Sequence, residues 1–289
     1  MSTAEKLREL LAGPDLLVCP VISGPLSARL ARQAGFPLAF LGGFGISAER
    51  FALPDTGLIS FSEVVDQVHN TCEAVPGFPV VADGDTGYGN AMNVRRTVRE
   101  FSRAGAAAIL IEDQTWPKQC GHYAGGRKVV SREEARMRIR AAVEARDKAD
   151  GGLLVLARTD ARSAVSFEDA MTRCRDFQEE GADILFAEAL ENEQELRAFA
   201  GGFDKPTWAN MMPKTPLKSR QALHQMGFKV VTYNVLLSAS VRAMQGTLAA
   251  LKADHMEDAP PLASFEEVTQ LVDLPEYMAQ EARYKTGDS

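Results

Sequence analysis

"NVRRTVREFSRAGAAAILIED", Asn93 to Asp113, holds one repeat of a pattern that recurs along the chain. A segment of helical period ends at Gly105, where glycine suits the left-handed cap that stops a helix. An apolar run follows, and it closes on two carboxylates, Glu112 and Asp113. A run apolar at every position, with no alternation, reads as a strand buried on both faces of a parallel sheet.

Seven more runs have the same form. They are Leu16–Ile22, Pro37–Gly43, Phe78–Asp85, Leu153–Asp160, Ala182–Ala189, Pro206–Met211 and Phe228–Val235. Helical segments separate them, such as "SREEARMRIRAAVEARDK", and Gly35, Gly181 and Gly227 stand before later strands as Gly105 does. Eight strand–helix alternations in one chain of 289 residues predict an α/β protein, a (β/α)8 TIM barrel. A doubly wound sheet has the same alternation but gathers its site at one crevice. Here polar residues recur at the tips of strands two to eight: Gly42 and Gly43, Asp83 and Asp85, Glu112, Arg158, Glu188, Asn210 and Asn234. A ring of polar tips around one mouth is the barrel arrangement. Beyond the eighth strand come a helix from Leu236 to about Lys252, the acidic link "ADHMEDAPP" and a last helix from Ser264. We expect one barrel domain over residues 1–289, with the helices of 236–289 packed on a neighbouring subunit.

Composition narrows the function. The chain is 45% hydrophobic and 25% charged, which is an ordinary globular balance. The net charge is -7 and no basic block stands out, so no nucleic-acid partner is expected. The apolar stretch Leu16–Ala28 is broken by Pro20 and Gly24 and falls short of the roughly 20 residues of a membrane span. The N-terminal "MSTAEKLRELLAG" reads as an amphipathic helix with charges inside it, not a signal peptide. Cys19, Cys72, Cys120 and Cys174 have no CxxC spacing, which fits a reducing cytoplasm.

The tips carry the chemistry. Asp83 and Asp85 in "VADGDTGYGN" are two residues apart, and on a strand that spacing puts both on one face. Glu112 ends the adjacent strand, and Asp55 in "LPDTG" lies on the loop after strand two. Four carboxylates without a neighbouring histidine make a hard oxygen site suited to Mg²⁺, or to Mn²⁺. Arg158 is placed to hold a carboxylate bidentately, or to pair with Glu188 or Glu112. Gly42 and Gly43, with Phe44 and Gly45, are candidates to offer backbone N–H groups to substrate. The polar loop after strand four carries "KQCGH", with Cys120 between Lys118 and His122. Zinc is not expected, because the other cysteines belong to a strand and two helices. Lysine and histidine beside a thiol favour its thiolate or make it a tunable acid or base. The glycines around it suggest a loop that closes over substrate.

"VADGDTGYGN", "IEDQ" followed by "KQCGH", "LARTDA", "FAEA" and "WAN" occur in the order found in the isocitrate lyase and phosphoenolpyruvate mutase superfamily, which the chain resembles from about Leu16 to Leu251. The resemblance implies a barrel whose eighth helix is exchanged between partners, a homotetramer built as a dimer of dimers, Mg²⁺, and small carboxylate substrates. It also implies Asp85 as the direct metal ligand, with Asp83, Glu112 and Asp55 on metal-bound waters. Gly42, Gly43, Arg158 and Asn210 would then contact the pyruvate or enolate part. Cys120 would be the acid/base, supported by Glu188, Lys118 and His122. The resemblance thus implies a lyase that breaks a C–C bond of a 2-hydroxy or 2-oxo dicarboxylate through an enolate, of the dimethylmalate, citramalate or oxaloacetate type. A phosphonate enzyme acting on a P–C bond is the alternative.

Some positions depart from the family pattern. Gly84 replaces the alanine of the usual "DAD", Gln119 removes a cation before the cysteine, and Gly42 stands where serine is common. Phe265 takes the place of an arginine that grips a third carboxylate in methylisocitrate lyases. Asn234 stands where many lyases have proline and resembles the asparagine of the phosphonate branch.

Overall fold

The computed structural model describes residues 1–119, 127–149, 152–211 and 218–285. All eight expected strands form: β1 (Leu17–Ile22), β2 (Ala39–Leu41), β3 (Val80–Asp83), β4 (Ala108–Glu112), β5 (Leu154–Thr159), β6 (Ile184–Ala187), β7 (Thr207–Met211) and β8 (Val230–Tyr233). Each is parallel to its neighbours, and β8 pairs with β1 to close the barrel. The strands are shorter than the apolar runs because each run also supplies the residues that enter the next loop.

Two apolar regions explain why these runs are apolar throughout. Side chains such as Cys19, Val81, Leu110, Leu156, Ile184, Trp208 and Val230 fill the barrel interior. Their strand neighbours, among them Ile22, Leu41, Val80, Ile109, Val155, Leu185 and Val231, pack outward against the helices. Alternate residues thus enter different apolar layers, and no position is left for water.

The helix ends follow the sequence signals. Gly35, Gly105, Gly181 and Gly227 all have positive φ. The helix Ala91–Arg103 is capped by Asn90, and Arg132–Arg146 by Ser131. Ser2 and Glu5 form a capping box at the first helix, Thr3–Ala12.

The chain divides into two compact units, Met1–Val235 and Leu236–Ser289. The first holds the barrel. The second contains the helices Leu236–Ala253, Phe265–Leu271 and Leu274–Ala282. Its long helix exposes Val241, Met244, Leu248 and Leu251. No helix among the described residues is long and apolar enough to cross a membrane.

Candidate active site at the mouth of the barrel

The expectation that Asp83 and Asp85 share a strand face is corrected by the structure. β3 ends at Asp83, and Asp85 lies in the left-handed region at φ 48°. Gly84 makes this turn fit. A Cβ there would lie 2.7 Å from the Leu110 carbonyl oxygen and 2.8 Å from the Ile109 side chain. The two carboxylates still reach one neighbourhood. A Cβ on Gly43 would lie 3.2 Å from Asp83 Oδ2, 3.4 Å from Asp85 Oδ1 and 3.4 Å from Lys118 Nζ. Glycine at 43 leaves the space in which these groups converge.

The backbone donors expected of Gly42 and Gly43 are already engaged. Gly42 N–H donates to the Ile22 carbonyl at 3.2 Å, and Gly43 N–H donates to Asp83 Oδ2 at 3.0 Å. Closing the barrel brings these partners to the glycines. The helix Gly43–Phe51 starts here without a side-chain cap, so the first-turn N–H groups of Phe44 and Gly45 have no capping side chain.

Lys118 is only 4% exposed, and its ammonium joins Asp55 Oδ1 at 2.5 Å and Asp85 Oδ1 at 2.7 Å. Burial alone would lower its pKa, but Asp85, Asp55, Asp83 and Glu112 together hold it well above the ordinary lysine value. Burial pushes the Asp85 carboxyl up to about 6, against the pull of Lys118. It also raises Glu112 well above the usual range, against the pull of Arg158.

On the adjacent strand β5, in register with Glu112, Arg158 meets a partner that sequence reasoning missed. Its Nε and Nη2 donate to the two oxygens of Asp160 at 3.0 and 2.9 Å. The expected acids stand farther away, Glu112 at 3.4 Å and Glu188 at 3.8 Å. The signal was present in "LARTD", because Asp160 follows Arg158 by two residues. Asp160 also pairs with Arg127, a second residue not anticipated. Burial would raise the Asp160 carboxyl, but the two guanidinium groups hold it below the usual range.

A relay of hydrogen bonds orients Glu188 and Asn210. The Trp208 indole N–H donates to Thr232 Oγ1 at 3.2 Å. The Thr232 hydroxyl donates to Asn210 Oδ1 at 3.0 Å, and Asn210 Nδ2 donates to Glu188 Oε2 at 3.3 Å. Nδ2 is the end of the Asn210 amide that can donate, and it is the end that meets Glu188. Asn234 is half-buried just beyond β8, and among the described residues no hydrogen bond ties it to this cluster. Phe265 opens a helix of the second unit and is 85% exposed.

The loop after β4 returns on itself at its foot. Thr115 N–H donates to the Lys128 carbonyl and Val130 N–H to the Asp113 carbonyl, both at 2.9 Å. Trp116 leans on Tyr88, ring centroids 6.3 Å apart. Cys120 and His122 lie outside the described residues.

A cation fits this mouth on charge and donor chemistry. Among the described residues, Asp55, Asp83, Asp85, Glu112, Asp160 and Glu188 stand against the cations Lys118, Arg127 and Arg158. Asp85 Oδ2 and Glu112 Oε1 are buried with no hydrogen-bond partner among the described residues. Among those residues no three ligating side chains already form a metal cage. Mg²⁺ does not require one, since it is held by one or two carboxylates and keeps several waters.

A parallel eight-stranded barrel, with acids, an arginine and a lysine converging at the C-terminal ends of its strands, defines a barrel enzyme for small anionic substrates. The chain belongs to the phosphoenolpyruvate phosphomutase family, whose model matches residues 7–252. It is 37% identical to 2,3-dimethylmalate lyase of Eubacterium barkeri, over 99% of this chain and 100% of that protein. The structure of oxaloacetate acetylhydrolase with 3,3-difluorooxalacetate superimposes with a TM-score of 0.93 at 31% identity, covering 99% of both chains. Phosphonopyruvate hydrolase in complex with oxalate and Mg²⁺ superimposes with a TM-score of 0.87 at 31% identity, over 98% of this chain and 99% of that one.

Proposed function

We propose that this protein is a Mg²⁺-dependent carbon–carbon lyase acting on a small 2-hydroxy or 2-oxo dicarboxylate. One observation carries the reading: Arg158, a carboxylate-binding group, lies 3.4 Å from Glu112 at the edge of an acid cluster with excess negative charge. Asp85, Asp83 and Glu112 would hold the cation, and Arg158 would pair with a substrate carboxylate beside them. The names of the dimethylmalate and oxaloacetate enzymes to which the chain is similar support the same class.

Bound at those acids, Mg²⁺ supplies Lewis-acid stabilisation of oxygen charge that develops in the transition state. Arg158 and the N–H groups of Phe44 and Gly45 orient the carboxylate of the half that becomes the enolate. Glu112, beside Arg158, accepts a proton from the substrate hydroxyl, which in a 2-oxo acid is a hydroxyl of its hydrate. The C–C bond then breaks, its electron pair passing to the enolate as the former hydroxyl carbon becomes a carbonyl. Cys120, two residues beyond Lys118, donates the proton that quenches the enolate carbon. Asn210, fixed by Thr232, holds Glu188 beside the guanidinium of Arg158.

Asp85→Ala removes the main ligand, and we expect it to abolish turnover while the barrel remains folded. The enzyme works as a homotetramer in a reducing cytoplasm. The exposed Met244, Leu248 and Leu251 of the long C-terminal helix support assembly, and the unpaired thiols support the compartment. A phosphonate substrate is the second reading, favoured by the likeness to phosphonopyruvate hydrolase. Gln119 argues against it, because the loop offers one cation fewer to a dianion. Assaying 2,3-dimethylmalate, citramalate, oxaloacetate and phosphonopyruvate with Mg²⁺ tests the choice. Cleavage of a four- to six-carbon diacid or of oxaloacetate is expected to exceed phosphonopyruvate turnover. Efficient phosphonopyruvate turnover with inert diacids reverses the assignment.

A further inference from the structure

Asp113 is the second carboxylate at the end of β4, and nothing in the proposed chemistry uses it. It is buried, and its side chain accepts three hydrogen bonds. Thr159 Oγ1 donates to Oδ2 at 2.7 Å, Asp160 N–H to Oδ1 at 2.9 Å, and Arg173 Nη1 to Oδ2 at 3.1 Å. Arg173 comes from the outer helix Phe167–Glu179 and is buried too. The same Nη1 donates to the Val130 carbonyl at 2.9 Å, and Nε is held by Asp169 at 2.7 Å. Val130 in turn donates its N–H to the Asp113 carbonyl.

We propose that Asp113 and Arg173 are a positioning pair that fixes the Thr159–Asp160 tip, and through Asp160 the guanidinium of Arg158. The inference rests on the reading of Arg158 as the substrate carboxylate clamp. The argument is geometric. Arg158 can present its remaining Nη donors in a fixed direction only if Asp160, which takes Nε–H and one Nη2–H, is itself fixed. The backbone of Asp160 is held by Asp113, and Asp113 by a cation anchored in the helix layer. The pair also ties the returning strand of the loop, at Val130, to the same rim. Groups that orient a ligating side chain without touching the ligand typically carry about 10- to 100-fold in affinity or activity.

Asp113→Asn keeps the shape but turns one acceptor into a donor, so one of the three bonds is lost. Oxalate, a planar dicarboxylate, is the probe, with Mg²⁺ present. The variant is expected to bind oxalate about tenfold more weakly and to lose roughly 10- to 100-fold in kcat/KM. Its Kd for Mn²⁺ without oxalate stays within twofold, a split that general loosening of the fold would not produce. On an Arg158→Lys background the same substitution costs less than twofold, because the fork it positions is already gone. If Asp113→Asn does not fold, Arg173→Lys, which keeps the charge and loses the fork, carries the same comparisons. Oxalate affinity within twofold of wild type, or a full tenfold loss persisting beside Arg158→Lys, overturns the pairing. Failure of the wild-type protein to bind oxalate overturns the carboxylate clamp itself, and the pairing with it.

Discussion

The Lys118 ammonium lies 2.7 Å from Asp85 Oδ1, inside the acid cluster rather than out on the loop that carries it. A loop residue therefore supplies the neutralising cation for carboxylates on two other loops, Asp55 and Asp85. Removing one partner of a buried ion pair leaves an uncompensated charge, at about 3–5 kcal/mol. Lys118→Met should lower the thermal midpoint in excess chelator by several degrees. Mg²⁺ should restore most of that loss by supplying the missing charge. A midpoint equal to wild type in chelator contradicts this account.

Metal affinity should depend on pH through Asp85. Burial raises its carboxyl from 3.8 to about 6 in the metal-free fold. A raised carboxyl opposes folding once it ionises. Its contribution to stability is therefore full below about pH 3.8 and is lost as pH rises through about 6. The metal needs the ionised form, so its affinity climbs with pH up to about 6 and levels above. Mn²⁺ titrations from pH 5 to 8 check this. A Kd constant across that range removes Asp85 as the ligand.

Gly84→Ala should destabilise the protein, although alanine is common at this place in the family pattern. The new methyl group would meet the Leu110 carbonyl oxygen at 2.7 Å and the Ile109 side chain at 2.8 Å. Overpacking of this kind costs about 1–3 kcal/mol. Denaturant unfolding should show that loss, and Mg²⁺ binding should weaken with it as Asp85 shifts. An unchanged midpoint would mean β3 and β4 separate freely.

Thiol chemistry should be selective. Cys19 and Cys174 are buried in apolar surroundings, and burial pushes the Cys72 thiol up to about 12. None of the three is a thiolate near neutral pH. Iodoacetamide at pH 8 on the native protein should modify Cys120 alone, with activity lost in step. Peptide mapping reads the site, and early labelling of Cys72 would show that the helix Phe61–Ala74 opens locally.

What the sequence determined by itself is what local patterns encode. Uninterrupted apolar runs bounded by Gly35, Gly105, Gly181 and Gly227 specified eight buried strands, and their polar tips specified the working face. Those signals are short-range because strand burial and helix capping are settled within a few residues. Only the tertiary structure decided which charges meet. It turned Asp85 off the strand, engaged the Gly42 and Gly43 N–H groups, brought in Arg127, and joined Asp113 to Arg173, 60 residues away. An ion pair forms where the closed barrel sets two side chains a few ångströms apart with water excluded. No spacing along the chain records that distance.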